Sequence, residues 1–512
     1  MFYSNKDNAN IMSIKNKVVK SKIVTTIGPA TFSEDMLIKL REAGADVFRL
    51  NFSHASENGD EMVELFHRIH KVCPDVGILC DIQGPKIRVG EFEQPAVLDV
   101  GDEFKIYQKE VKGNKHQTCI SYDGFLKDVD IGDSIFINDG LIRLKIIEKN
   151  YEKGFVNTKV ITSGPISTKK GVNIPSGALS AKNPTEKDRK DLKIIAKLEP
   201  EYVAASFIAN EAEVRTIRNI LNNAGASDTK IISKIERPVA VSNFDEILTV
   251  SDGIMVARGD LGVEIPAELV PIRQKEMILK CNRVGKPVIV ATQMLESMTQ
   301  NPVPTRAEVN DVFNAVYDRS DAVMLSGETS IGKHPIKTVE YMNKIINTAE
   351  KYIPNKAPNE TDSEEPDLYE AMGHAIYEMA EVFHNVNFRG KIIMFTRGGV
   401  SCRMTAKYRP RYPIFAITAQ KSAARSLKLV WGVKPYFVPS IDMEDWSSEK
   451  ILFHGIRQLV QFGDLEKNEH VICAISSRLD VKHGFILGLY YVKDLLKGKT
   501  ISKLDYNPDW DK

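Results

Sequence analysis

Short apolar runs alternate with amphipathic stretches along most of this chain, and that alternation narrows the available folds more than any other feature. Residues 22–28 (KIVTTIG) read as a strand. Residues 33–44 (SEDMLIKLREAG) read as a helix, with Ser33 as N-cap and Gly44 as stop. A second strand follows at 47–51, a helix at 57–71 and a third strand at 76–81. The pattern then breaks and resumes near residue 185 (TEKDRKDLKIIAK). Strand-like runs come at 202–207, 230–235, 253–257, 287–291 and 321–325, with helical segments between them. Three strands before the break and five after it make the eight βα units of a (β/α)₈ TIM barrel, whose right-handed crossovers keep the sheet parallel.

The break is itself informative. Residues 90–177 are rich in Val, Ile, Gly and Asp, with runs such as SIFIND and LIRLKIIEK. This is the pattern of a small inserted β domain, expected as a β-barrel lid on the barrel. The barrel is therefore expected to comprise 21–89 and 178–355. Residues 1–20 are polar and lack the apolar core of a secretory signal, so they read as an N-terminal extension. Pro, Asn, Asp, Ser and Glu at 356–366 mark a linker. Residues 367–512 resume an α/β alternation (KIIMFT, PIFAIT, KPYFVP, HVICAI) and read as a separate C-terminal α/β domain.

Composition excludes several classes. In 512 residues, 69 Lys and Arg face 68 Asp and Glu, a net charge of +1. Such balance argues against a nucleic-acid binder or a polybasic membrane reader. No apolar run reaches the roughly 18 residues of a membrane span. The six cysteines (Cys73, Cys80, Cys119, Cys281, Cys402, Cys473) form no CxxC and no zinc-like spacing. They are expected to be buried, reduced thiols in a cytoplasmic protein.

In a barrel of this kind, chemistry gathers at the C-terminal ends of the strands. The sequence places Arg49, Asn51, Asp81, Lys234, Glu236, Asp260, Thr292 and Ser326 there. So many ionisable groups at one rim call for a metal or a polyanion to hold. Lys234 and Glu236, two apart on a strand, face the same way.

The motifs TTIGPA at Thr25, RLNFSH at Arg49, GPKIR at Gly84, KKGVN at Lys169, KIE at Lys234, MVARGDLGVEIP at Met255 and ATQMLESM at Ala291 are similar to those of the pyruvate kinases. So are NPVPTRAEVNDV at Asn301 and MLSGETSIG at Met324. Each is short, but nine in order on successive strands make the resemblance specific. It runs from about residue 21 to 413 and more loosely beyond. It implies a glycolytic enzyme that transfers the phosphoryl group of phosphoenolpyruvate to ADP, giving pyruvate and ATP.

The resemblance also assigns roles. Glu236 and Asp260 match the family's protein ligands for Mg²⁺, with Mn²⁺ able to substitute; carboxylate oxygens suit such ions. Lys234 matches the lysine that stabilises the transferring phosphoryl group and the enolate, and Arg49 a phosphate-contacting arginine. The amides of Gly259 and Asp260 would hold the substrate carboxylate. Thr292 matches a threonine that takes part in protonating the enolate, as part of a relay that could extend to Ser326 and Glu328. Asn51, His54, Arg88, Lys170 and Asp139 match positions near the nucleotide, the last two on the closing lid.

The sequence departs from the family pattern in two informative places. Many members carry DTKGPEIR where this chain has DIQGPKIR at 81–88. In the family the glutamate form goes with a K⁺ requirement and the lysine form without it. The ammonium of Lys86 would supply a fixed charge where the monovalent ion sits, beside Asn51, Ser53 and Asp81. Activity without K⁺ is expected. The effector loop reads TRGGVSC from Thr396 to Cys402, retaining Thr396, Gly399 and Ser401 of a TxSGRSA pattern. The effector of this loop is open between a sugar phosphate, a nucleotide and none. The resemblance further implies a homotetramer. Two other readings compete: a metal-dependent barrel aldolase, which would not need Arg88 and Lys170, and a non-catalytic scaffold, which would not be expected to retain Lys234, Glu236, Asp260 and Thr292.

Overall fold

The computed structural model describes residues 19–56, 58–175, 180–353, 368–386, 389–441, 447–476 and 484–497. The 1–20 extension, apart from residues 19 and 20, and the 356–366 linker lie outside the described residues.

Eight parallel strands close into a barrel. In chain order they are β1 (Lys22–Thr26), β2 (Val47–Asn51), β3 (Gly77–Ile82), β4 (Tyr202–Ala205), β5 (Lys230–Ile235), β6 (Gly253–Ala257), β7 (Val288–Ala291) and β8 (Ala322–Leu325). Each pairs with its sequence neighbours, and β1 pairs with β8 to complete the ring. The helix Glu34–Ala43 forms where the sequence predicts it. Ser33 accepts the Met36 amide, and Gly44 ends the helix in the left-handed region at φ 119°.

Alternation along the strands builds two packed layers. Val24, Val47, Leu79, Tyr202, Ala204, Ile232, Met255, Ile289 and Met324 fill the barrel interior. Their neighbours, such as Ile23, Phe48, Ile78, Ile231, Ile254 and Val256, face the surrounding helices. The interior is thus a plug of side chains rather than a pore, and ligand space is left only at the rims.

The insertion between β3 and β4 is a β domain with its own core, including Phe104, Ile135, Leu144, Val156 and Val172. It contains a six-stranded mixed sheet and a two-stranded ribbon. The chain enters and leaves it side by side, with Arg88 bridged to Gly171.

The C-terminal unit is a five-stranded sheet: β9 (Gly390–Phe395), β10 (Ile414–Thr418), β11 (Val433–Phe437), β12 (His470–Ser476) and β13 (Phe485–Tyr491). Its order is β11-β10-β9-β12-β13, parallel except for the antiparallel edge strand β13. Leu429 of this unit packs into the base of the barrel interior. Buried ion pairs join the two units: Arg409 Nη1 to Asp321 Oδ1 at 2.9 Å and Arg425 Nε to Glu201 Oε1 at 2.5 Å. All six cysteines are free and buried. Among the described residues, no helix is long and apolar enough to cross a membrane.

Candidate active site

A cavity of about 190 Å³ opens at the C-terminal rim of the barrel. Its lining includes Arg49, Asn51, Ser53, Asp81, Lys86, Arg88, Lys234, Glu236, Asp260, Thr292 and Ser326. These residues come from the ends of β2, β3, β5, β6, β7 and β8 and from the segments that follow them, so the barrel gathers groups spread over nearly 280 positions.

Asp81 is the hub. It is 1% exposed. Its Oδ2 accepts Arg49 Nε at 2.7 Å, and its Oδ1 lies 3.4 Å from Lys234 Nζ. Burial alone would raise this carboxyl. The charges of Lys234 and Arg49 outweigh that and hold it below the ordinary aspartate range. Arg49 is fixed further by Nη1 donating to Thr26 Oγ1 at 3.0 Å.

Lys234 Nζ lies 3.1 Å from Glu236 Oε1 and donates to Ser206 Oγ at 2.6 Å. Burial opposes its charge, but Asp81 and Glu236 hold it above the ordinary lysine range, so the ammonium persists. Glu236 is 1% exposed. Burial, reinforced by the charge of Asp260, raises its carboxyl against the pull of Lys234. Its Oε2 accepts the Phe207 amide at 2.5 Å.

Asp260 stands in the first turn of the helix Arg258–Glu264, where an acid is favoured by the helix dipole. Its Oδ1 faces Lys86 Nζ at 3.3 Å. Lys86 is carried there by the turn at Gly84, whose φ is +68° and whose amide donates to Asp188 Oδ1 at 3.1 Å. A Cβ at Gly84 would come within 2.7 Å of the Ser206 carbonyl oxygen, so only glycine fits.

Thr292 follows β7 with φ +74°. A β-branched residue in the left-handed region is strained by about 1–2 kcal/mol. Its hydroxyl accepts the Gly259 amide at 2.7 Å and donates to the Ala291 carbonyl at 2.5 Å. The Gly259 amide, expected to meet a substrate carboxylate, is therefore held by Thr292 here. The Thr292 side chain lines the cavity rather than packing in the strand core.

Other predicted residues lie apart from this cavity. The Lys170 carbonyl accepts the Val89 amide at 3.0 Å where the two connections to the insertion run together. Asp139 is exposed and lines a separate space of about 720 Å³ between the insertion and the end of the helix Arg258–Glu264. His54 falls in the turn Phe52–His54, and its side chain lies outside the described residues. Glu328 is buried and spans two loops, accepting the amides of Leu295 and Ser326. Thr396 and Ser401 are buried in the C-terminal unit, where Thr396 Oγ1 accepts both Gly399 N at 3.0 Å and Ser401 Oγ at 3.2 Å.

Sequence reasoning missed Ser206 and Phe207, which follow β4 and hold Lys234 and Glu236. Their position just past a strand end is the signal that would have found them. Among the described residues no group of three or more His, Cys, Asp and Glu side chains forms a ready metal cage. Two buried or half-buried carboxylates in one cavity, with oxygen donors only and one acid destabilised by the other's charge, nevertheless fit Mg²⁺, which typically takes one or two protein carboxylates.

A ring of paired acids and bases at the C-terminal rim of a parallel eightfold barrel is the layout of a barrel enzyme that handles an anionic substrate. Residues 18–339 match the family model "Pyruvate kinase, barrel domain", and residues 370–484 match "Pyruvate kinase, alpha/beta domain". The chain belongs to the pyruvate kinase family, a family of phosphotransferases. It is 39% identical to the pyruvate kinase of Bacillus licheniformis over 490 residues, covering 94% of this chain and 82% of that one. Identity to the pyruvate kinase of Sporosarcina psychrophila is 44% over 424 residues, covering 81% and 71%. The crystal structure of a pyruvate kinase from Cryptosporidium parvum superposes with a TM-score of 0.83 at 36% identity, covering 92% of this chain and 96% of that one.

Proposed function

We propose that this enzyme transfers the phosphoryl group of phosphoenolpyruvate to ADP with Mg²⁺ bound and without a requirement for K⁺. The observation that carries this reading is the buried cluster Arg49–Asp81–Lys234–Glu236 beside Asp260, all on one cavity.

Phosphoryl transfer depends on positioning and charge neutralisation more than on covalent chemistry. Glu236 and Asp260 would hold Mg²⁺, which supplies positive charge to the phosphate and enolate oxygens. Lys234 keeps its proton, so it offers a fixed ammonium to the transferring group. Arg49, locked by Asp81 and Thr26, presents a phosphate-binding guanidinium at no further ordering cost. Thr292, already hydrogen bonded to a strand-end carbonyl, would relay a proton to the enolate through its hydroxyl. Arg88 and, from the insertion, Lys170 and Asp139 would meet the nucleotide as the 90–177 domain closes over the barrel of 21–89 and 178–355. The 367–512 unit would be regulatory, in a homotetramer, with a sugar phosphate, a nucleotide or no effector at its Thr396–Cys402 loop.

Independence from K⁺ is supported by Lys86, whose ammonium sits 3.3 Å from Asp260 on the same cavity as Asn51, Ser53 and Asp81. A coupled assay of pyruvate formation tests the whole reading: ATP should form from phosphoenolpyruvate and ADP with Mg²⁺ in a K⁺-free buffer. No ATP would favour an aldolase or a scaffold.

A further inference from the structure

The insertion touches the barrel near the site at the far end of the helix Arg258–Glu264. Asn173, on the strand by which the chain leaves the insertion, donates from Nδ2 to Glu264 Oε1 at 2.9 Å. Both residues are buried, at 7% and 8% exposure. Close by, Gly140 of the insertion (φ +85°) sits over Val263, and a Cβ there would lie 3.5 Å from that valine. Both contacts fall on the last turn of the helix whose first turn carries Gly259 and Asp260.

A carboxylate is an expensive choice for such a place. Burial raises Glu264 to about 7, opposed by the Asn173 bond and the charge of Arg237, while Asp260 and Glu236 push it further up. Lys86 lines the same small space of about 20 Å³. An apolar pair would pack this junction at less cost. A polar pair instead gives one defined docking geometry, because a hydrogen bond is directional and apolar contact is not.

We propose that Asn173 and Glu264 form a positioning tie: their hydrogen bond fixes how the inserted domain sits over the cavity and, through the helix, where the Gly259 amide and the Asp260 carboxylate point. Neither residue touches the reacting atoms; each acts through others. The inference rests on the reading of residues 90–177 as a lid over the nucleotide.

Steady-state kinetics on the full chain, with phosphoenolpyruvate, ADP and Mg²⁺, test it through N173A, E264A, E264Q and N173A/E264A. The tie predicts that N173A and E264A each raise KM for ADP about tenfold, the worth of one buried hydrogen bond, with a smaller change in kcat. The double variant should be no worse than either single one, because both remove the same bond. E264Q should restore the wild-type KM, since its amide oxygen still accepts Asn173. Spin labels at K145C on the insertion and K193C on the barrel should give a broadened distance distribution in N173A and E264A and the native one in E264Q. Wild-type KM and distances in N173A, additive losses in the double variant, or no rescue by E264Q would each overturn the tie. If E264A fails to fold, N173A and E264Q carry the test. An inactive parent enzyme would instead refute the kinase reading, while the label distances would still judge the tie.

Discussion

Lys86 and Asp260 meet at 3.3 Å across the barrel cavity although 174 positions separate them. The contact ties the loop after β3 to the helix after β6. It also places a side-chain cation beside a candidate metal ligand.

Reversal of that charge should create a dependence on K⁺. In K86E, turnover without K⁺ should fall at least about tenfold and recover on adding KCl. Wild-type turnover should be unchanged by KCl at matched ionic strength. Assays in tetramethylammonium buffer decide this, and a large KCl activation of the wild type would refute the idea.

Asp81 binds two largely buried cations. D81N leaves Arg49 and Lys234 facing each other without that negative charge. The expected cost is roughly 3 kcal/mol of stability, because one partner of a buried ionic network is gone. A fall in kcat of at least about a hundredfold should accompany it as Arg49 loses its orientation. Thermal melting and steady-state kinetics measure the two effects. A normal kcat would show that Arg49 needs no such anchor.

Gly84 permits the turn that delivers Lys86. G84A combines φ +68° with a Cβ 2.7 Å from the Ser206 carbonyl oxygen. Displacing Ser206 disturbs the residue that holds Lys234. Activity should fall more steeply than stability, with a folding loss of about 1–2 kcal/mol from the left-handed backbone and more from the clash. Comparing kcat with the melting temperature checks the split.

How much of this was legible beforehand depends on what each feature rests on. The barrel strands could be read because apolar runs such as those at 230–235 and 253–257 are bounded by helical patterns, and the observed β5 and β6 coincide with them. Arg49, Asp81, Lys234, Glu236, Asp260 and Thr292 were legible because strand ends are marked in the sequence. Ser206 and the Phe207 amide were not, since a hydroxyl and a backbone donor carry no charge signature; only the closed ring brings them to Lys234 and Glu236. Asp139 faces a separate space because its place depends on how the insertion docks, which no local pattern encodes. The edge strand β13 (FILGLYY) escaped notice because it pairs antiparallel with β12, its neighbour in the chain, whereas the alternating βα pattern signals parallel strands.

His70 links pH to the junction of barrel and C-terminal unit. Its Nε2 lies 3.0 Å from Arg425 Nη1. Burial, then the charges of Arg425 and Lys421, depress it to about 4. The unfolded chain, with an ordinary histidine, binds a proton near pH 6.5 that the folded chain refuses. Stability is therefore lost as pH falls from about 6.5 towards 4. Because His70 is partly exposed, the effect should be a few degrees in melting temperature. H70Q should lose less on moving from pH 7 to 5 than the wild type does, and equal slopes would contradict the argument.

The central claim is that a divalent ion sits between Glu236 and Asp260, with Lys234 alongside. Anomalous diffraction from crystals soaked with Mn²⁺ and oxalate tests it most directly. The predicted result is one strong peak bridging the two carboxylates and absent in E236Q. A peak elsewhere, or full turnover in E236Q or D260N, would contradict it.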